Sequence, residues 1–147
     1  MLAAQVTDLD LMNLTSDTDE TRQLRVDFPI SSVAGAASTS VVYFELEPGA
    51  HTGMHVDSAE EVVLILSGRV EATIGDEVGE LGAGGLGLIP AHVPHDVRNI
   101  GDETVRVAGF FSSNTVVSVF DDPMMPAGTR VVGTPIPDES ELTAAAA

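Results

Sequence analysis

The sequence predicts an all-β domain, a sandwich or small barrel, and three observations carry the prediction. Apolar and polar residues alternate with a period of two in short runs such as VVYFELE at 41–47 and RVEATI at 69–74, the period of a half-buried strand. Fourteen Gly and eight Pro punctuate the chain, setting turns at roughly ten-residue intervals, as in sandwiches and barrels. Aromatics make up only 4%, with no Trp and one Tyr, so the core must come from Val, Leu, Ile and Ala. The β-branched members of that set favour strands.

In chain order, residues 1–23 are acidic and Thr-rich, an N-terminal arm with one short strand expected at 5–11. LRVDFPI at 24–30 alternates and reads as a strand. Residues 31–40 are small and form a loop. In 41–47, Val42, Phe44 and Leu46 share one face, and Pro48-Gly49 ends the strand. EVVLILS at 61–67 is continuously apolar, which fits a central strand buried on both sides or a helix; Gly68 and the β-branched content favour strand. Ser67-Gly68 suits a tight turn into 69–74, and residues 75–79 make the next turn. Further strands are expected at 86–89, 95–99, 105–111 and 116–120. Beyond Asp121 the chain reads as an irregular C-terminal tail, 121–147. Length suits one domain, 1–147, with its core at about 38–120.

Composition excludes several roles. The net charge is −17 and all six basic residues are Arg, so phosphate backbones and anionic lipid surfaces are repelled; no nucleic acid and no membrane are expected as partners. Absence of lysine excludes Schiff-base chemistry on a side-chain amine. Absence of cysteine removes disulfides, thiolate metal sites and thiol nucleophiles. Neither a secretory signal nor an apolar run of spanning length is found, and the expected location is cytoplasmic.

All four histidines fall in two stretches, His51 and His55 in GAHTGMHVDSAEEVVLILSG (49–68), His92 and His95 in GGLGLIPAHVPHDVRN (84–99). The first also crowds Asp57, Glu60 and Glu61 around a histidine. Imidazole is the commonest neutral metal ligand, so the two stretches read as halves of one site. As spacing they are Gly49-x5-His55-x-Asp57-x3-Glu61-x6-Gly68 and Gly84-x5-Pro90-x-His92-x2-His95-x3-Asn99.

At this point the sequence resembles the cupin family, small double-stranded β-helix (jelly-roll) barrels with the paired patterns G-x5-H-x-H-x3,4-E-x6-G and G-x5-P-x-G-x2-H-x3-N. The resemblance covers roughly residues 38–112. Asp57 stands in place of the second motif histidine and His92 in place of a glycine. Carried over position by position, the resemblance implies one divalent metal ion on His55, Asp57, Glu61 and His95. Physical placement agrees. His55 and Asp57, two apart in an extended segment, project from one face; Glu61 shares a face with Val63 and Ile65, and His95 with Val97 and Asn99. Two imidazoles with two carboxylates favour Fe(II) or Mn(II), while Zn(II) and Ni(II) also fit.

Alternatives stay open. His55 and His95 could be structural polar residues in a barrel without metal. Asp57 could cap the following turn, with His51, four before His55, as the substitute ligand. Glu61 is favoured over Glu60 by its distance to Gly68. His92 and His51 are candidates for proton transfer. Phe44, Val63, Ile65, Val97 and Phe111 point inward and either fill the barrel or line a substrate pocket; Asn99 is expected to hold the turn after its strand. Metal affinity should fall below about pH 6, as the imidazoles protonate.

The resemblance implies a metal-dependent cupin of oxygenase, lyase or isomerase type acting on a small organic molecule. The alternative is a non-enzymatic small-molecule-binding or sensing cupin. It also implies a homodimer, with residues 5–11 and 24–30 as contact segments.

Overall fold

A computed structural model of the chain describes residues 1–134. In order, its strands are β1 (Met12–Thr15), β2 (Gln23–Ile30), β3 (Ser40–Leu46), β4 (His55–Asp57), β5 (Glu61–Ser67), β6 (Arg69–Ile74), β7 (Glu77–Gly82), β8 (Leu86–Ile89), β9 (His95–Asn99), β10 (Val105–Phe111), β11 (Val117–Met124) and β12 (Thr129–Gly133). They form two antiparallel six-stranded sheets, β1-β2-β3-β10-β5-β8 and β12-β11-β4-β9-β6-β7. No helix among the described residues is long and apolar enough to cross a membrane.

The alternating runs decide which face each strand buries. Val42, Phe44 and Leu46 of β3, Val63 and Ile65 of β5, and Val105, Val107 and Phe111 of β10 turn one sheet's apolar face inward. Val70 of β6, Val97 of β9 and Phe120 of β11 answer from the other sheet. Each such side chain contributes about 1.5–3 kcal/mol of burial. The core thus lies between two sheets whose strands alternate in and out.

Five local expectations are corrected. Over 5–11 the chain makes a 3-10 turn, Val6–Asp8, closed by the Asp8 N–H donating to the Gln5 carbonyl. The strand comes afterwards, as β1, whose Leu14 is buried in the core; the arm is therefore part of the sheet. β5 is buried on one side only: Val62 and Leu66 are exposed on the other. Ser67-Gly68 is no hairpin, because β5 and β6 belong to opposite sheets. Gly68, at φ +85, is the corner where the chain crosses between them, and a Cβ there would lie 2.6 Å from Val105 Cγ2. Residues 77–79, expected as turn, belong instead to β7 (Glu77–Gly82), paired with β6 from Ile74↔Glu77 to Arg69↔Gly82. Residues 121–133, expected to be irregular, instead carry the end of β11 and all of β12, paired through Gly133; the remaining residues of the expected tail, 135–147, lie outside the described residues.

Asn99 ties three segments together. Its side-chain amide donates to the carbonyls of Leu46 and Glu103, and its side-chain oxygen accepts the Gly101 N–H. It is almost wholly buried, so removing the amide strands three backbone groups. Asn99→Ala should cost about 2–3 kcal/mol and lower the midpoint of thermal unfolding by several degrees. An unchanged midpoint would mean that these groups find other partners.

Candidate metal centre

The site is a product of register. β4 lies between β11 and β9, with His55 opposite Phe120 on one side and opposite His95 on the other. One row along, Asp57 faces Ser118. Residues two apart on a strand share a face, so His55, Asp57, His95, Ser118 and Phe120 all turn into the barrel. Glu61, first residue of β5, approaches from the opposite sheet.

Ligand atoms of His55, Asp57 and His95 lie within 4.8 Å of one another. His95 Nε2 is 3.1 Å from Asp57 Oδ2 and 3.9 Å from Glu61 Oε1, so Glu61 stands at the edge of this group. The backbone fixes both imidazoles. His55 Nδ1 donates to the Gly53 carbonyl at 2.8 Å, and His95 Nδ1 to the Val93 carbonyl at 2.9 Å. Each Nε2 is then left to face the cavity. His95 Nε2 is buried and has no hydrogen-bond partner, the carboxylate beside it being out of line.

That is a test of fit for a cation. In its neutral form His95 would aim a lone pair at a carboxylate oxygen in a water-poor interior, two acceptors with nothing between them. A divalent ion resolves the conflict, and the donor set of two nitrogens with carboxylate oxygens suits it. The residues present fit a metal.

Support extends beyond the ligands. Ser118 Oγ donates to Asp57 Oδ1 at 2.5 Å. The His55 ring stacks on Phe120, centroids 4.6 Å apart. Asp96 Oδ1 accepts the Gly53 N–H, so a carboxylate anchors the residue whose carbonyl orients His55. Gly109 leaves room for Glu61: a Cβ at 109 would lie 2.1 Å from Glu61 Oε2.

Burial, then the neighbouring His95, pushes His55 down to about 4, so it is neutral well below the pH 6 expected. Burial would lower His95 too, but the Asp57 carboxylate outweighs it and the net shift is upward. Proton and metal ion therefore compete at His95. For Asp57, burial acts upward and is overcome by His95, His55 and Ser118, leaving the carboxylate below its ordinary value. Burial and the Asp57 charge raise Glu61 to about 8.

Around these groups lies a cavity of about 50 Å³, walled by Phe44, Val63, Val97 and Phe111, and also by Leu14, Val26, Phe28, Ile89 and Val132. Three expected residues stand elsewhere. Ile65 is buried core, one turn of the pleat beyond the cavity wall. His51, expected as substitute ligand and proton carrier, has Nδ1 on Asp96 and Nε2 on Asp19, both at 2.9 Å. It lies before β4 begins, where strand parity does not apply, so its spacing from His55 was no guide. His92 is exposed in the β8–β9 turn at φ 65; its backbone N–H, donated to the Asp57 carbonyl, serves the site and its imidazole does not reach the cavity. Ser118, Phe120, Asp96 and Gly109 were not anticipated. The alternating run after Val116 was the available signal for the first two, once its inward parity is known.

For Glu61, a folded value near 8 lies above the unfolded carboxylate range of about 4. Its contribution is then fully present below about pH 4 and is lost as pH rises through about 8. Metal-free protein should lose stability relative to Glu61→Gln over that interval, by an amount on the order of a few kcal/mol at the alkaline end. Unfolding midpoints recorded against pH check this; parallel curves for the two proteins would count against a burdened carboxyl.

Residues 42–113 match the family model described as Cupin domain. Similar solved structures include the formate complex of oxalate decarboxylase from Lactobacillus farciminis, at 22% identity and TM-score 0.68, covering 79% of this chain and 34% of that one. The Mn(II) centres of Bacillus subtilis oxalate decarboxylase were studied in another, at 21% identity and TM-score 0.62, with 73% and 30% covered. A third is the Cnp3 cupin domain of Schizosaccharomyces pombe, at 17% identity and TM-score 0.62, with 76% and 74% covered. The chain thus spans about a third of the oxalate decarboxylase chains, and these likenesses speak for the fold alone. No curated protein matches it. With its two sheets, paired motifs and matched segment, the chain has the cupin fold.

Proposed function

We propose that the barrel holds one divalent ion, with His55 Nε2, His95 Nε2 and Asp57 as donors and Glu61 completing the set, and that it acts there on a small organic molecule. The observation that carries this is the buried, unpartnered His95 Nε2 within a convergent group of three donors. Mn(II) and Fe(II) suit a set with two carboxylates best, and Mn(II) centres are named for one structural neighbour. Bound there, the ion would polarise a substrate oxygen as a Lewis acid. The chain's own groups do the rest. Ser118 holds Asp57, the Gly53 and Val93 carbonyls hold the imidazoles, and the apolar walls exclude water. Glu61, whose carboxyl burial and the Asp57 charge hold above the usual carboxylate range in the metal-free protein, replaces His51 and His92 as the group able to hold a proton at the cavity, a proton it would give up on joining the metal set.

A second reading, binding without turnover, is favoured by the cavity's size: about 50 Å³ admits only a few water-sized groups. Metal analysis of protein purified without chelator tests the first step of both readings. About one equivalent of Mn or Fe is expected in the unmodified chain, with occupancy lost in His95→Ala. No ion in the unmodified protein, and no rise in unfolding temperature on adding Mn(II), Fe(II), Ni(II) or Zn(II), would remove the metal. Oxygen-uptake and lyase assays on the loaded protein then separate enzyme from binder.

We also propose a homodimer, through a surface other than the one the sequence suggested. β2 is paired on both edges over Gln23–Val26, so within residues 24–30 only 27–30 have an edge that β1 leaves free. The outer face of β5, β8 and β10 instead presents Val62, Leu66, Leu86, Leu88 and Phe110, all exposed and contiguous through the registers Val62↔Leu88 and Phe110↔Val62. With a net charge of −17 on each copy, this apolar patch is where a second copy can approach with least repulsion. Leu88→Glu should convert a dimer to a monomer in gel filtration. A monomer before substitution, or an undisturbed dimer after it, would exclude this face.

A further inference from the structure

We infer, resting on the metal reading above, that the cavity takes a small neutral or singly charged oxygen-bearing molecule with an apolar flank and rejects dianions. A dianion bound beside a metal held by two carboxylates needs a cation nearby, because its second charge would otherwise be buried without a partner. The chain has six arginines and no lysine, and none of these arginines lines the cavity. Each of five is engaged elsewhere. Arg22 pairs with Asp121, Arg25 with Glu45 and Glu47, and Arg69 with Glu80. Arg98 donates to the Gly49 carbonyl and Arg106 to the Tyr43 hydroxyl. The sixth, Arg130, is exposed on β12.

Apart from the ligands, the cavity's polar groups are the hydroxyls of Thr52 and Ser118. Both are spoken for: Ser118 donates to Asp57, and Thr52 accepts the Val97 N–H while donating to Asp96. The remaining wall is aliphatic or Phe. Such a wall rewards a methyl or other apolar flank and offers nothing to a second carboxylate. The protein's overall negative charge opposes entry of a dianion as well.

Three probes with the same number of non-hydrogen atoms and the same vicinal-oxygen skeleton separate charge from size: pyruvamide, neutral; pyruvate, a monoanion; and oxalate, a dianion. Uptake of Mn(II) is measured first, then binding of each probe to the loaded protein through the electron paramagnetic resonance of the bound ion, with metal retention checked after desalting. Oxalate should bind roughly tenfold or more weakly than pyruvate, although in free solution it is the stronger chelator. Oxalate binding as tightly as pyruvate overturns the inference while leaving the metal reading intact; a protein that takes up no Mn(II) overturns both. In Phe28→Arg, a guanidinium placed at the half-buried rim position should recover oxalate binding. A folded Phe28→Arg protein that binds Mn(II) and still rejects oxalate shows that charge is not the discriminator, which also overturns the inference. If that variant does not fold, the comparison of probes on the unmodified chain decides alone.

Discussion

The contact between His95 Nε2 and Asp57 Oδ2, 3.1 Å apart and nearly sealed from solvent, governs the rest of the structure. A neutral imidazole with its Nδ1 proton committed to a backbone carbonyl has only a lone pair to offer at Nε2. Setting that lone pair against a carboxylate is unfavourable unless a proton or a metal ion sits between them. In the metal-free protein burial disfavours the imidazolium, but the Asp57 carboxylate outweighs it and shifts His95 toward holding a proton. A divalent ion would displace that proton and satisfy both groups, which is why metal uptake and proton release are coupled here.

Much of the barrel can be understood as what holds that pair in place. The β4–β9 register sets His55 beside His95; β11 contributes the ring under His55 and the hydroxyl on Asp57. From the other sheet, β5 brings Glu61, and β10 yields the space through Gly109. Outside the cavity, Asp96 receives the Gly53 N–H, the Thr52 hydroxyl and the His51 ring. His51 in turn reaches Asp19, so the N-terminal segment is tied to the residue whose carbonyl orients a ligand. Second partners of this kind commonly decide how well a metal ligand is aimed.

The legible parts of this arrangement were those written as local spacing. His55-x-Asp57 and the inward parity of Glu61 and His95 follow from the two-residue period of a strand. So does the inward set Phe44, Val63, Val97 and Phe111. What escaped was information that only pairing supplies. β7, with Gly79 and Gly82 in six residues and an exposed outer row, carries little strand signal of its own and exists because β6 offers it an edge. β5 looked buried on both sides because its outer face is as apolar as its inner one. His51 looked like a ligand because a count of four was applied across a loop. Ser118 and Gly109 act through atoms facing them from other strands, and no single-strand pattern reports that.

The distribution of charge connects fold to chemistry. A chain with 23 acidic and six basic side chains would be expected to place some arginine beside its buried carboxylates, where pairing relieves the cost of burial. This one does not. Its arginines brace the exterior: Arg22 against Asp121, Arg25 and Arg106 around Glu45, Arg69 on Glu80. Asp57 and Glu61 are left with histidine as their only basic neighbour, and burial with the Asp57 charge raises Glu61 to about 8 in the metal-free protein. A barrel that withholds its own cations from two buried carboxylates keeps that position for a cation from outside. The same omission makes its aliphatic wall a poor host for any second negative charge.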